Sequence, residues 1–191
     1  MLSLRRPGED AIRALLSRSA ATPLSYPVPG MTREPAPPEW NVGRYQVELG
    51  TGAATYEAAC AAVDRWAMFR IGWVELCWPD EPPSEGKGVA VLARLGPIWA
   101  LNACRVTYVV RDAANIERHG FAYGTLAEHM ETGEERFVVS WNRSCDLVTY
   151  EIVAYSRPRH WLARLGGPAA RAAQRRFRVD SAQAMRRAVL A

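Results

Sequence analysis

The chain has 191 residues, 49% of them hydrophobic and 23% charged, with a formal net charge of +4. Seven Trp, seven Tyr and four Phe are too many large apolar groups for a chain that stays open, which excludes disorder over most of the length. The longest uninterrupted apolar runs, 58–63 and 89–93, fall far short of the ~20 residues that a membrane-crossing helix needs.

At the N-terminus, Glu9 and Asp10 follow Arg5 and Arg6 where an export signal would need its apolar segment. The sequence therefore predicts no export signal and a cytoplasmic location. Residues 8–19 form a short amphipathic helix with Ile12, Leu15 and Leu16 at helical spacing. Residues 20–40 carry six prolines, so this stretch is extended and crosses the surface, with 24–26 as an anchor. Tyr45, Val47 and Leu49 alternate with Arg44, Gln46 and Glu48 in a strand over 43–49. Residues 53–69 read as a helix with Tyr56, Val63 and Trp66 on one stripe.

After Gly72 the period becomes two and stays there. Strands are expected over 73–78, 89–95, 98–111, 116–125, 134–141 and 147–156. Six consecutive strands with short links form an antiparallel meander. Residues 159–190 are helical with a break at 166–168, and a new helix starts at Pro168. Its inward stripe is Ala173, Phe177, Ser181, Ala184 or Met185, and Ala188, with Arg171, Arg175, Arg178 and Arg186 opposite. Residues 156–191 hold nine Arg and one Asp, whereas residues 1–155 hold 15 basic and 19 acidic groups. Such a basic end suits a nucleic acid, an anionic membrane or the solvent face of an amphipathic helix. Aromatics that stack on bases are missing from the arginine face, so no sequence-specific nucleic-acid partner is expected.

The predicted fold class is α+β, one domain over 1–191 with residues 1–40 packed on it. A curved antiparallel sheet of about seven strands wraps around the long C-terminal helix in a helix-grip arrangement. The small residues of the helical stripe reach less far into a curved sheet than Leu or Phe, so an apolar cavity is expected between the two.

Cys60, Cys77, Cys104 and Cys145 are spaced 17, 27 and 41 residues apart. No close pair presents two thiolates to one ion, so they read as four buried reduced thiols, with neither metal nor cofactor.

Several stretches occur in an order that resembles uncharacterised protein family 0548, a domain of unknown function found in bacteria and plants. They are Leu24-Ser25-Tyr26, Asn102-Ala103-Cys104-Arg105, Phe121-Ala122-Tyr123-Gly124-Thr125, Gly133-Glu134-Glu135-Arg136-Phe137, Tyr155-Ser156-Arg157-Pro158, Leu165-Gly166-Gly167-Pro168 and Gln174-Arg175-Arg176. The resemblance covers roughly residues 22–188 and implies no activity. The strand and helix order is similar to the START, pollen-allergen and polyketide-cyclase superfamily, an analogy of fold alone. One departure lies in the turn after Leu126, where Ala127-Glu128-His129 replaces the family's usual Pro-Gly-His.

Six residues are candidates for ligand binding: Tyr26, Asn102, Tyr108, His119, Tyr123 and Phe177. Asn102 and Tyr108 share one side of their strand by alternation. They are either polar groups aimed at a ligand or groups satisfied inside the core. Tyr123 and His119 share a side of the next strand, opposite Gly120, Ala122 and Gly124. They are either a donor and a general base, or an aromatic face packed on the core. Arg105 reads as a surface or salt-bridge residue. His129, with Glu128, Glu131, Glu134 and Glu135 around it, reads as an exposed residue of a polar turn. His160 reads as a helix-start residue. No Gly-rich phosphate loop, Ser nucleophile elbow or paired-carboxylate motif occurs. The leading expectation is a monomeric or homodimeric cytoplasmic protein that binds a small lipid-like or polyketide-like molecule. A cyclase or dehydratase in the same cavity is the second reading, and nucleic-acid or anionic-membrane contact through the arginine face is the third.

Overall fold

A computed structural model of the chain describes residues 1–78, 80–127, 129, 131–158 and 167–190. The elements in chain order are β1 (Leu2–Ser3), α1 (Glu9–Ser19), β2 (Asn41–Thr51), α2 (Gly52–Asp64), β3 (Val74–Cys77), β4 (Gly88–Leu95), β5 (Ile98–Ala113), β6 (Ile116–Thr125), β7 (Glu131–Asn142), β8 (Leu147–Pro158) and α3 (Gly167–Leu190). The helical stretch expected from residue 159, with His160, lies outside the described residues, whereas the new helix expected at Pro168 is observed as α3, from Gly167.

The strands make one antiparallel sheet in the order β2-β8-β7-β6-β5-β4-β3, and β1 adds a short pairing on β5. Six sequential strands pair as hairpins because their links are too short for a crossover. β2 pairs with β8 and completes the sheet at the far edge. The helices α2 and α3 lie on one face of this sheet. The result is the expected α+β arrangement, a seven-strand sheet wrapped on a C-terminal helix.

Both faces of the sheet are apolar, so both are covered. On the inner face Val106, Phe121, Phe137, Val139, Tyr150 and Ile152 pack with α2, the 66–69 turn and Ala182 and Met185 of α3. On the outer face Ala90, Leu92, Leu101 and Ala103 receive Ile12 and Leu15 of α1. Arg105 donates to the Ser19 and Ala20 carbonyls at 2.6 and 2.9 Å, closing the helix end whose carbonyls lack partners.

The proline-rich stretch 20–40 crosses the rest of the outer face. Leu24 bridges to Leu126, and Tyr26, Met31 and Trp40 pack on Val153 and Tyr155. Its anchor is Glu134, 2% exposed. This carboxylate accepts from Tyr26 Oη at 2.6 Å, Gly30 N at 2.8 Å, Thr32 N at 2.9 Å and Thr32 Oγ1 at 2.6 Å. A buried carboxylate is tolerable only with such a set of donors. Gly124 makes room for this contact, because a side chain there would run into the Tyr26 ring. Gly124 of β6 thus admits the N-terminal strap, rather than a ligand or the long helix, while a side chain at Gly120 would meet the backbone of β7.

Two features depart from simple periodicity. The helix predicted over 53–69 ends at Asp64, because Trp66 adopts a left-handed conformation with φ of 55°. Its indole is buried against Phe121, with ring centres 4.6 Å apart, and donates to the Glu81 carbonyl at 2.9 Å. In β5 the register shifts between Val106 and Tyr108. One extra residue in a strand reverses the alternation beyond it. Val106 faces the inner core, whereas Tyr108 turns to the outer face and meets Thr32 Oγ1 at 2.8 Å.

The Glu134 cluster predicts its own cost. Glu134→Ala leaves two backbone amides and two hydroxyls without their acceptor, and is expected to lower the unfolding free energy by about 3 kcal/mol. Tyr26→Phe removes a single donor and is expected to cost about 1 kcal/mol. Urea denaturation of the two variants checks both values and their order.

Candidate functional site

The N-terminal half of α3 reaches the sheet through Gln174, Phe177 and Arg178, and its alanines stand off from the strands. Between them lies a cavity of about 490 Å³, within the range of small-molecule sites. Ala169, Ala170, Ala173 and Phe177 line it from the helix. Val91, Ala93, Ala100 and Cys104 line it from β4 and β5, and Ala154 from β8. Small residues at these positions leave the gap, as the helical stripe suggested. The C-terminal half of α3 differs. There Met185 is fully buried, and Ser181 Oγ lies 3.2 Å from Tyr150 Oη, so helix and sheet are in contact. Ala184 is buried but does not line the cavity.

One end of the cavity is polar. Tyr123 of β6 donates to Glu135 Oε2 at 2.9 Å. Gln174 of α3 donates to Glu131 Oε2 at 2.5 Å. Asn102, Thr125, His129, Ser156 and Arg178 also face this space, and the Asn102 amide has no hydrogen-bond partner among the described residues. The strand expected from 134 starts at Glu131, so Glu131, Glu134 and Glu135 are all part of β7. Alternation sends Glu134 outward to the strap and its neighbours inward. The two inward carboxylates, Glu131 and Glu135, form no ion pair within 4 Å among the described residues.

Burial sets the protonation of this end. It raises the Glu135 carboxyl to about 7, against the hydrogen bond from Tyr123 and the charge of Arg178. It raises Glu131 as well, opposed by the Gln174 bond. It pushes the His129 imidazole down to about 4, since a cation is disfavoured in an apolar site. His129 therefore sits in the cavity wall instead of an exposed turn. Its Nδ1 accepts the Glu131 backbone amide at 3.0 Å. A backbone N–H can only donate, so the neutral ring carries its proton on Nε2.

Of the six sequence candidates, the structure brings Asn102, Tyr123 and Phe177 to the cavity. Tyr26 and Tyr108 lie on the outer face, in the strap cluster. The bulge at residue 107 moved Tyr108 there, and the spacing of apolar residues carried no sign of it. His119 Nε2 lies 2.8 Å from Asp64 Oδ1 and joins β6 to the end of α2, away from the cavity. Glu131, Glu135, His129, Gln174 and Arg178 of the polar end are not among those candidates. The sequence reads His129 and the acids around it as a polar turn, and Arg178 as part of the outer arginine face. Arg178 is half-buried over Gly43, and a side chain at position 43 would collide with its guanidinium. The absence of a side chain there was the available signal. Among the cysteines, Cys77 and Cys104 are buried and Cys60 half-buried. Cys145 is exposed in the turn between β7 and β8, because that turn carries no apolar cover. Among the described residues no His, Cys, Asp and Glu side chains gather as a metal-ligand group, and no helix is long and apolar enough to cross a membrane.

Residues 25–184 match the model of a family described as a domain of unknown function, DUF1990. The chain is 31% identical to a UPF0548 protein of Dictyostelium discoideum, over 99% of this chain and 96% of that one. It is 33% identical to a UPF0548 protein of Deinococcus radiodurans, over 92% of each. It is 30% identical to a UPF0548 protein of Arabidopsis thaliana, over 75% of this chain and 71% of that one. The likeness thus spans an amoeba, a bacterium and a plant.

The raised Glu135 carboxyl has a defined effect on stability. In the unfolded chain it ionises near the usual value of 4.5, and in the folded protein near 7. The stability it contributes is present below about pH 4.5 and is lost as pH rises through 7. His129, lowered from 6.5 to about 4, acts in the opposite sense between those values. The difference between the wild type and Glu135→Gln isolates the first effect. The variant is expected to gain about 3 kcal/mol relative to wild type between pH 4.5 and 8. Chemical denaturation of both proteins across that range measures it.

Proposed function

The chain belongs to DUF1990, whose description names no activity, and from the cavity itself we propose that the protein binds a small, largely apolar molecule with one polar end. The observation that carries this reading is the composition of the cavity. Alanine, valine and phenylalanine side chains form its walls, and hydrogen-bonding groups gather at one end. Burying apolar ligand surface supplies affinity, and a few fixed polar groups supply orientation. Leu2, Leu95 and Ile98 line the cavity and remain 52%, 42% and 38% exposed, which supports an apolar entrance. A lipid-like or polyketide-like molecule is the class we favour, held in the cytoplasm. A substrate handled chemically in the same space is the second reading, supported by the paired Tyr123 and Glu135.

Filling the space tests the proposal. Ala173 lines the cavity from α3, and Ala173→Trp places an indole where the ligand would lie. The variant is expected to keep its circular dichroism spectrum and to bind the neutral fluorophore 1-aminoanthracene at least about tenfold more weakly than wild type. Wild-type protein that takes up no apolar fluorophore, or equal binding by the variant, overturns the reading.

A further inference from the structure

Two groups at the polar end of the cavity are held in complementary states. Tyr123 is buried and fixes one oxygen of Glu135. The other oxygen, Oε1, accepts no hydrogen bond from a described residue, and the carboxyl faces the cavity. A second group, His129, lines the same cavity. The Glu131 amide occupies His129 Nδ1, which leaves Nε2–H as the ring's donor. An acceptor for a proton and a neutral donor for an oxygen therefore belong to the wall of one largely apolar cavity. A base and an oxygen-directed donor are the groups that proton transfer at carbon uses, and partial desolvation strengthens both relative to bulk water.

We propose that the cavity catalyses proton transfer at the carbon next to a carbonyl group in an apolar ketone. The proposal rests on the reading of the cavity as a ligand site. Glu135 takes the proton from the α-carbon. The C–H electron pair moves to form the enolate, and the negative charge develops on the carbonyl oxygen, where His129 Nε2–H donates to it. The carboxylic acid then returns the proton to carbon, at the same position or at the far end of a conjugated system. No electrons leave the substrate, so neither oxidant nor reductant is needed. Glu135 and His129 are the catalytic residues, and Tyr123 is a positioning residue. The apolar walls hold the rest of the substrate.

Among the described residues, Tyr123 faces Glu135 from β6, Glu131 from its own strand and Arg178 from α3, with Tyr150 of β8 and Cys104 of β5 behind. Burial of the carboxyl outweighs these neighbours and puts its ionisation at about 7, close to the value at which a base is both available and strong.

The test uses 1-phenyl-2-octanone, an apolar ketone whose benzylic C–H lies next to its carbonyl. Exchange of that hydrogen in deuterium oxide is followed by proton NMR, and binding of the same ketone by displacement of 1-aminoanthracene. Wild-type protein is expected to exchange it faster than buffer alone, with a rate that rises up to about pH 7 and then levels off. Glu135→Gln keeps an acceptor for Tyr123 and is expected to lose about 100-fold of the enhancement while still binding the ketone. His129→Ala is expected to lose about tenfold or more. Tyr123→Phe removes a hydrogen bond that lowers the Glu135 ionisation, so the profile should shift to higher pH. Ketone that binds without exchange above buffer overturns the proton-transfer proposal and leaves the ligand site standing. Undiminished exchange in Glu135→Gln overturns it too. Failure to bind this ketone while 1-aminoanthracene binds overturns the substrate class, and failure to bind either overturns the cavity reading.

Discussion

Burial of both faces of one curved sheet is the constraint on which the rest of the molecule depends. Strands β4 to β8 carry apolar residues inward and outward. Leu92, Leu101 and Val153 on one side and Phe121, Phe137 and Ile152 on the other are all at most 1% exposed. A sheet of this kind cannot leave either face in water, since each large side chain is worth roughly 2 kcal/mol of burial. The inner face is covered by α2 and α3. The outer face is covered by α1 and a strap of extended chain. The strap pairs with the sheet backbone at Leu24–Leu126, and hydrogen bonds to the Glu134 side chain hold Tyr26, Gly30 and Thr32 beyond it.

Strand β7 shows how one local rule serves both faces. Glu134 and Glu135 are the same residue type at adjacent positions, and the pleat turns them to opposite sides. Glu134 meets four donors from the strap and locks the N-terminal segment to the sheet. Glu135 meets one donor, Tyr123, and looks into an apolar space. The first is a carboxyl whose oxygens are satisfied by hydrogen bonds. The second is a group whose charge is costly, and it titrates near neutrality for that reason. The difference between a fastening and a chemically poised residue is the number of donors on the face to which each one turns.

The cavity follows from the same geometry. Helix α3 lies across a curved sheet and meets it fully in its second half, where Met185 and Ser181 fill the contact with Tyr150. Its first half presents Ala169, Ala170 and Ala173, which are too short to reach the strands. Phe177 stands at the junction. It packs on Phe69, with ring centres 5.7 Å apart, and on Phe137 at 6.3 Å, and so closes the cavity against the core. Arg178, one position on, turns its charge toward the polar end.

The sequence by itself determined the strands, because a period of two over β5, β6 and β8 reports which side chains share a face whatever they pack against. It determined the antiparallel meander through its short links, and the inward stripe of α3 through helical spacing. Asn102, Tyr123 and Phe177 were legible as cavity residues for the same reason. What periodicity could not report was any break in its own count. The extra residue at 107 moved Tyr108 to the outer face, and the left-handed Trp66 ended α2 early. Both are fixed by contacts from distant segments, Thr32 with Tyr108 and Glu81 with Trp66. Nor could local polarity tell a solvated turn from a buried polar end. Glu131, Glu135 and His129 are hydrophilic in sequence, and only the tertiary structure placed them under α3. The proton affinity of such groups is set by the donors and the apolar surface that folding brings around them.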